Sequence, residues 1–207
     1  MLTLKGLRIL AIAPHIDDVE MGAGGALHAW STDNEVHYVG LSIPPHVNKA
    51  SFMEEFRMSL DALNIRGDRV IRKEYNPRDL ASDRVQILDE FYHMKQDLQP
   101  DVVLVPTGND VHQAHEVVFA EARRAFKHST ILGYELPWNN FVFDSSVFVR
   151  LSAENMEAKK KAVSAFRSQT SRPFLKDSAV YEDLARVRGL QAGCQFAECF
   201  QAIRILL

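Results

Sequence analysis

Cysteine is scarce in this 207-residue chain: there are two, Cys194 and Cys199, both near the C-terminus. Their number and spacing argue against a cysteine-ligated metal site or a disulfide framework, and suit two buried free thiols in a reducing cytoplasm. No apolar run approaches the ~20 residues that cross a bilayer. The stretch Met1 to Gly6 is too short before the first strand-like run to act as a signal peptide. Basic residues are not in surplus either. Lys and Arg number 24 against 27 Asp and Glu, a formal charge of -3, which argues against a nucleic-acid-binding surface. Repeats, low-complexity tracts and linkers are also missing. These absences leave a single domain over residues 1–207, expected to be cytoplasmic and without a membrane span.

The content fits that frame, since 46% hydrophobic and 25% charged residues are enough to build one sizeable core. Buried runs alternate with helical stripes. Leu7 to Ala13 reads as a strand buried on both faces, followed by a Gly-rich helix start at Gly22 that continues to Ser31. Val36 to Ile43, Asp68 to Arg72, Val102 to Val105, Thr130 to Gly133 and Ser146 to Arg150 read as further strands. Helices are predicted over Ser51 to Leu63, from an N-cap at Ser82 to Leu98, from His112 to Phe126, over Glu154 to Arg167 and over Ala179 to Val187. In the helix after Ser82, Val85, Leu88, Phe91 and Tyr92 are expected to face inward. The tail from Ala197 to Ile205 fits a strand or a helix equally. The alternation predicts an α/β fold, a three-layer Rossmann-like domain with a largely parallel sheet.

Chemistry is concentrated in two places, each directly after a buried strand. His15, Asp17, Asp18 and Glu20 follow the first strand, and Asp110, His112 and His115 follow the strand at Val102. Ends of parallel strands on either side of a switch point are where such folds bind ligands. A carboxylate cluster there needs a counter-charge, and with histidine alongside, a metal ion is the natural one. His15, Asp18 and one of His112 and His115 form a His-Asp-His set with an open position, the pattern of a catalytic zinc site. The other histidines, His28, His37, His46, His93 and His128, lack ligand-like spacing.

Pro14-His15-Ile16-Asp17-Asp18 with Gly22, Gly24 and Gly25, followed by Asp110-Val111-His112-Gln113-Ala114-His115, resembles the LmbE-like or PIG-L family of zinc-dependent de-N-acetylases. Arg57, Ser168-Gln169, Arg188-Gly189 and Ala197-Glu198-Cys199-Phe200 extend the resemblance over nearly the whole chain. It implies His15, Asp18 and His115 as metal ligands, Asp17 as general base and His112 as the group that polarises the substrate carbonyl and protonates the leaving amine. It implies Zn2+, with Fe2+ or another divalent metal as the alternative, and a small-molecule N-acetyl sugar as substrate. Arg57 is the substrate-binding position it suggests, for a phosphate. Two positions depart from the family pattern: Val19 precedes Glu20 where an acid often follows the Asp pair directly, and Ala114 stands where Asp is common. The second departure bears on the acidity of His112, so Ala114→Asp is expected to move the acidic limb of the pH profile upward.

Two other readings remain beside a deacetylase of GlcNAc-type sugars that are phosphate-, nucleotide- or lipid-linked. One is an amidase of small thiol conjugates with the same zinc chemistry. The other is a non-hydrolytic nucleotide-binding module, against which stand the missing G-x-G-x-x-G spacing and the lack of an acid after Leu41-Ser42-Ile43. Arg78 and Arg84 are expected at the surface or in ion pairs, and Trp138 with Asn139 and Asn140 offers a lip on which a sugar would stack. The oligomeric state is open, a homo-oligomer included.

Overall fold

The computed structural model describes residues 4–206. Seven strands form one sheet: β1 (Arg8–His15), β2 (Glu35–Ser42), β3 (Val70–Arg72), β4 (Val102–Pro106), β5 (Thr130–Tyr134), β6 (Val147–Leu151) and β7 (Phe196–Arg204). Their order is β3-β2-β1-β4-β5-β7-β6. The first five run parallel, and β7 lies antiparallel between β5 and β6. The helices are α1 (Asp18–Ser31), α2 (Lys49–Ala62), α3 (Arg84–Leu98), α4 (Gln113–Ala125), α5 (Ala153–Ser164), α6 (Pro173–Lys176) and α7 (Ala179–Ala192).

Strand periodicity divides the core into two. In β1, Ile9, Ala11 and Ala13 join one apolar cluster with residues of α1, α2, α5 and α7, while Leu10 and Ile12 join a second with α3 and α4. A strand buried on both faces must be apolar at every buried position, which is why Ile9 to Ala13 carries no alternation, while the charged Arg8 stays at its partly exposed start. Gly25 lets α1 lie close to the sheet, because a Cβ there would come within 2.5 Å of Leu151 Cδ1. Three hydrogen bonds to one carboxylate reinforce this approach. Glu198 on β7 accepts hydrogen bonds from the Gly25 and Ala26 backbone N–H groups at 3.0 and 2.6 Å, and Lys159 on α5 donates to it at 2.6 Å.

Some local expectations are corrected. Strand β1 runs on through Pro14 to His15, and α1 begins at Asp18 rather than Gly22, so Asp18 and Glu20 sit in its first turn. Ser82 does not cap α3: its hydroxyl donates to Asp79, and the helix starts after Asp83. The buried stripe of α3 is Ile87, Leu88, Phe91 and Met94, whereas Val85 is 73% and Tyr92 39% exposed. The tail is a strand, and α7 runs on to Ala192, where Gly193 closes it in a left-handed conformation (φ 64°). No helix among the described residues is long and apolar enough to cross a membrane. Both cysteines are free, with Cys199 buried and Cys194 half-buried.

Candidate active site

From β1 the chain proceeds to β2 and β3 on one side and later returns to β4 on the other. The C-terminal ends of β1 and β4 therefore flank the switch point, and the two motifs meet there. His15 is the last residue of β1, Asp17 and Asp18 open α1, and the turn after β4 delivers Asp110 and the start of α4.

Three donor atoms form a small triangle. His15 Nδ1 lies 3.1 Å from Asp18 Oδ2 and 3.2 Å from His115 Nε2, and the third side, His115 Nε2 to Asp18 Oδ2, is 3.2 Å. Ligands about 2.0–2.2 Å from a tetrahedral zinc stand about 3.3–3.6 Å apart, so a small divalent ion fits this donor set. His112 is the third histidine of the cluster: nitrogens of His15, His112 and His115 lie within 4.8 Å of one another. The residues thus fit a divalent metal, with His15, Asp18 and His115 as the tightest trio.

Asp110 completes this arrangement, a role that its place in the sequence does not assign. Its Oδ2 accepts from His115 Nδ1 at 2.7 Å and its Oδ1 from the His112 backbone N–H at 2.9 Å. The first bond holds the His115 ring with Nε2 turned to the triangle, the usual way a carboxylate orients a ligating imidazole. The second fixes the turn into α4. The sequence signal for it is its position inside the second motif, two residues before His112.

Asp17 is of a different kind. It is 1% exposed, neither carboxylate oxygen has a hydrogen-bond partner, and its backbone sits at φ 138°, a strained position for a residue with a side chain. Among the described residues, Arg172 is the one cation in ion-pair range, with its Nη1 3.6 Å from Asp17 Oδ2. Burial, helped by the neighbouring Asp18 charge, holds the Asp17 carboxyl well above the usual carboxylate range. Asp18 is the opposite case. Burial opposes its charge, but His115 and His15 outweigh burial and hold its carboxyl below the usual range. The same contacts act on His115: against burial, Asp18 and Asp110 push it up to about 10.

His112 caps α4 through Nδ1, which accepts from the Ala114 N–H at 3.3 Å. The neutral ring therefore carries its proton on Nε2. Burial, then the charges of His115 and His15, push it down to about 4. Ala114 is wholly buried in the apolar cluster of Leu10, Val103, Val105 and Val118. A carboxylate at that position would be buried in the core, so the expectation for Ala114→Asp gives way to destabilisation. Glu20, in the first turn of α1, is fully buried, accepts from the Tyr38 hydroxyl at 3.0 Å, and is pushed up to about 7 chiefly by burial.

The structure does not bring Arg57 to the cluster. Its guanidinium is engaged by Glu54 and Asp61 on the exposed face of α2, and none of its hydrogen bonds reaches the site. Arg84 pairs with Glu121, and Glu135 with Arg188. Trp138 stacks on Phe174, with centroids 4.4 Å apart and planes 5° apart, so that face is already covered.

Solved structures share the fold. The conserved protein TT1542 from Thermus thermophilus is 24% identical, with a TM-score of 0.82 over 97% of this chain and 96% of that one. The N,N'-diacetylchitobiose deacetylase from Pyrococcus horikoshii, complexed with its inhibitor, is 20% identical with a TM-score of 0.73, over 94% of this chain and 82% of that one. GalB, the 4-carboxy-2-hydroxymuconate hydratase from Pseudomonas putida, is 17% identical with a TM-score of 0.76, over 99% and 98%. No match is found among curated protein sequences. The sequence profile of the GlcNAc-PI de-N-acetylases matches residues 10–126, which span both motifs and more than half of the chain, so the protein belongs to the PIG-L family.

Proposed function

We propose that this protein is a metal-dependent hydrolase that removes the N-acetyl group from a GlcNAc-type sugar, with Zn2+ as the expected ion and Fe2+ as the alternative. The observation that carries this reading is the juxtaposition of a His-Asp-His donor triangle with a buried, unpartnered carboxylate, Asp17, on the residue adjoining α1. The fold alone does not choose the reaction, because a hydratase shares it; the site has to.

His15, Asp18 and His115 would hold the ion. When bound, it supplies Lewis acidity of the kind that lowers the pKa of water from about 15.7 to about 7. Asp17, with no hydrogen bond to lose, takes the proton of the attacking water. His112 presents Nε2–H to the amide oxygen as a neutral donor, since its acidity leaves it uncharged at neutral pH. The water oxygen bonds to the acyl carbon and the C–N bond breaks. The proton collected by Asp17 goes to the departing amine, leaving acetate and a free amino sugar. This reading gives the proton return to Asp17 in place of His112, supported by a carboxyl that burial and the Asp18 charge hold above the usual carboxylate range.

A nucleotide-binding module is disfavoured by the same residues. The N-terminus of α1, where a pyrophosphate would sit, is lined by Asp17, Asp18 and Glu20. The amidase of thiol conjugates differs only in substrate. An acetate-release screen of metal-loaded protein against N-acetylhexosamine derivatives and N-acetylated thiol conjugates separates the readings. Turnover of the hexosamines supports the proposal, and turnover of thiol conjugates alone refutes it.

A further inference from the structure

Between α5 and α7 the chain passes beside Asp17 in a segment held by three contacts. The Ser168 backbone N–H and hydroxyl donate to Glu55 on α2 at 2.9 and 2.7 Å. The Phe174 ring stacks on Trp138, and the Tyr181 hydroxyl donates to the Phe174 carbonyl at 2.6 Å. Between these contacts the segment presents Arg172. Among the described residues it is the one Lys or Arg in ion-pair range of any of Asp17, Asp18 or Asp110.

The Arg172 side chain has not used its hydrogen-bonding capacity. A guanidinium carries five N–H donors. Arg172 makes one ion pair, at 3.6 Å to Asp17, which is beyond good hydrogen-bond length, and a loose contact over the Phe174 ring at 6.0 Å. Its side chain stays 37% exposed, beside the fully buried carboxylate that is proposed to act as base. Arg57, by contrast, spends its guanidinium on Glu54 and Asp61. A ligand whose reacting amide lies against Asp17 has Arg172 within reach of its neighbouring atoms, because the guanidinium is 3.6 Å from that carboxylate. A planar fork with spare donors is suited to a phosphate or carboxylate, which it can hold bidentately.

We propose that Arg172 is the specificity-determining residue of this site and that it binds an oxyanion carried by the N-acetyl sugar, a phosphate or a carboxylate, beside the amide. This rests on the deacetylase reading for the identity of the sugar, but the anion-binding role of Arg172 can be tested without turnover.

The experiment uses the metal-loaded full chain as wild type, Arg172→Ala, Arg172→Lys and Arg57→Ala. Binding of glucosamine, glucosamine 6-phosphate, glucosamine 1-phosphate and muramic acid is measured by calorimetry, and acetate release from their N-acetyl forms is measured in parallel. The wild type is expected to favour the anionic ligands. Arg172→Ala should weaken them about tenfold or more, as loss of a bidentate charge-assisted contact would. Glucosamine should change less than twofold, the loss should fall on KM rather than kcat, and Arg172→Lys should recover part of it. The phosphate and muramic acid arms distinguish the two oxyanion sources. Equal losses on neutral and anionic ligands would show that Arg172 only pairs with Asp17 and would overturn the proposal. An effect carried by Arg57→Ala, or no anion preference in the wild type, would also overturn it. Anion binding that depends on Arg172, without acetate release from any sugar, would uphold this inference and reject the deacetylase reading.

Discussion

His15 Nδ1 and His115 Nε2 lie 3.2 Å apart although a hundred positions separate them in the chain, and both face the same oxygen of Asp18. Without a cation this contact must be held by protons, and His115 accordingly holds its proton up to about pH 10. Metal binding at neutral pH must displace that proton. Calorimetry in buffers of different ionisation enthalpy should show release of about one proton per ion bound. Apparent affinity should rise with pH up to about 10. Binding with no proton release would place the ion elsewhere.

The same group gives a stability prediction for metal-free protein. The folded-state value of His115 is raised above its ordinary 6.5, so its contribution is fully present below that value and is lost as pH rises toward 10. Glu20 is raised from 4.5 to about 7 and acts with the same sign in a lower window, stabilising below 4.5 and fading through 7. Thermal melts with chelator present should therefore fall as pH rises from 6.5 toward 10. Between about 4 and 7 the lowered His112 acts with the opposite sign and offsets Glu20, so Glu20→Gln should make stability rise with pH there more steeply than in wild type.

Asp110 was legible as a residue of the motif but not as a partner of His115, because residue spacing does not say which ring a carboxylate will face. Other misses have equally local causes. Ser82 looked like a cap, yet Asp79 captured its hydroxyl. Val85 and Tyr92 fitted a helical stripe set out of phase with the buried one. The α/β fold with its largely parallel sheet, by contrast, followed from alternating buried runs and helical stripes, and the two motifs converge because each ends a strand at the switch point. Arg172 carried no signal at all, since a loop arginine is brought to Asp17 by tertiary anchoring at Glu55 and Trp138.

Removing the orienting carboxylate should be felt in metal affinity. Asp110→Asn takes the charge from the His115 Nδ1–H bond, and outer-shell changes of this type cost about 10–100-fold in affinity or activity. A metal titration of Asp110→Asn beside wild type checks this. Unchanged affinity and turnover would leave Asp110 with only its bond to the His112 backbone.

The two neighbouring aspartates should separate cleanly. Asp18→Ala should lose the metal. Asp17→Asn should keep it and lose turnover by about 10²–10⁴-fold, as expected for a general base. His112→Ala should also keep the metal while turnover falls about 10²–10³-fold, the loss typical of an oxyanion donor. Metal content by elemental analysis, set beside acetate release, reads all three. A metal-free Asp17→Asn with a metal-replete Asp18→Ala would reverse the assignment.

Glu198 offers a test far from the chemistry. It is 5% exposed and pairs with Lys159, itself 3% exposed, while accepting two backbone bonds from α1. Glu198→Ala leaves the ammonium buried and unpaired, which typically costs about 3–5 kcal/mol. Denaturant unfolding should show the loss. A change below about 1 kcal/mol, the scale of an exposed pair, would mean that α1 is held without it.

The most direct measurement is acetate release from an N-acetylated GlcNAc-type substrate by one preparation carried through a metal cycle. The protein is assayed as loaded with Zn2+, again after chelator has removed the ion, and a third time after restoration. Activity that disappears with the metal and returns with it, at about one ion per chain, is the predicted result. Full acetate release from protein shown to be metal-free would contradict the account.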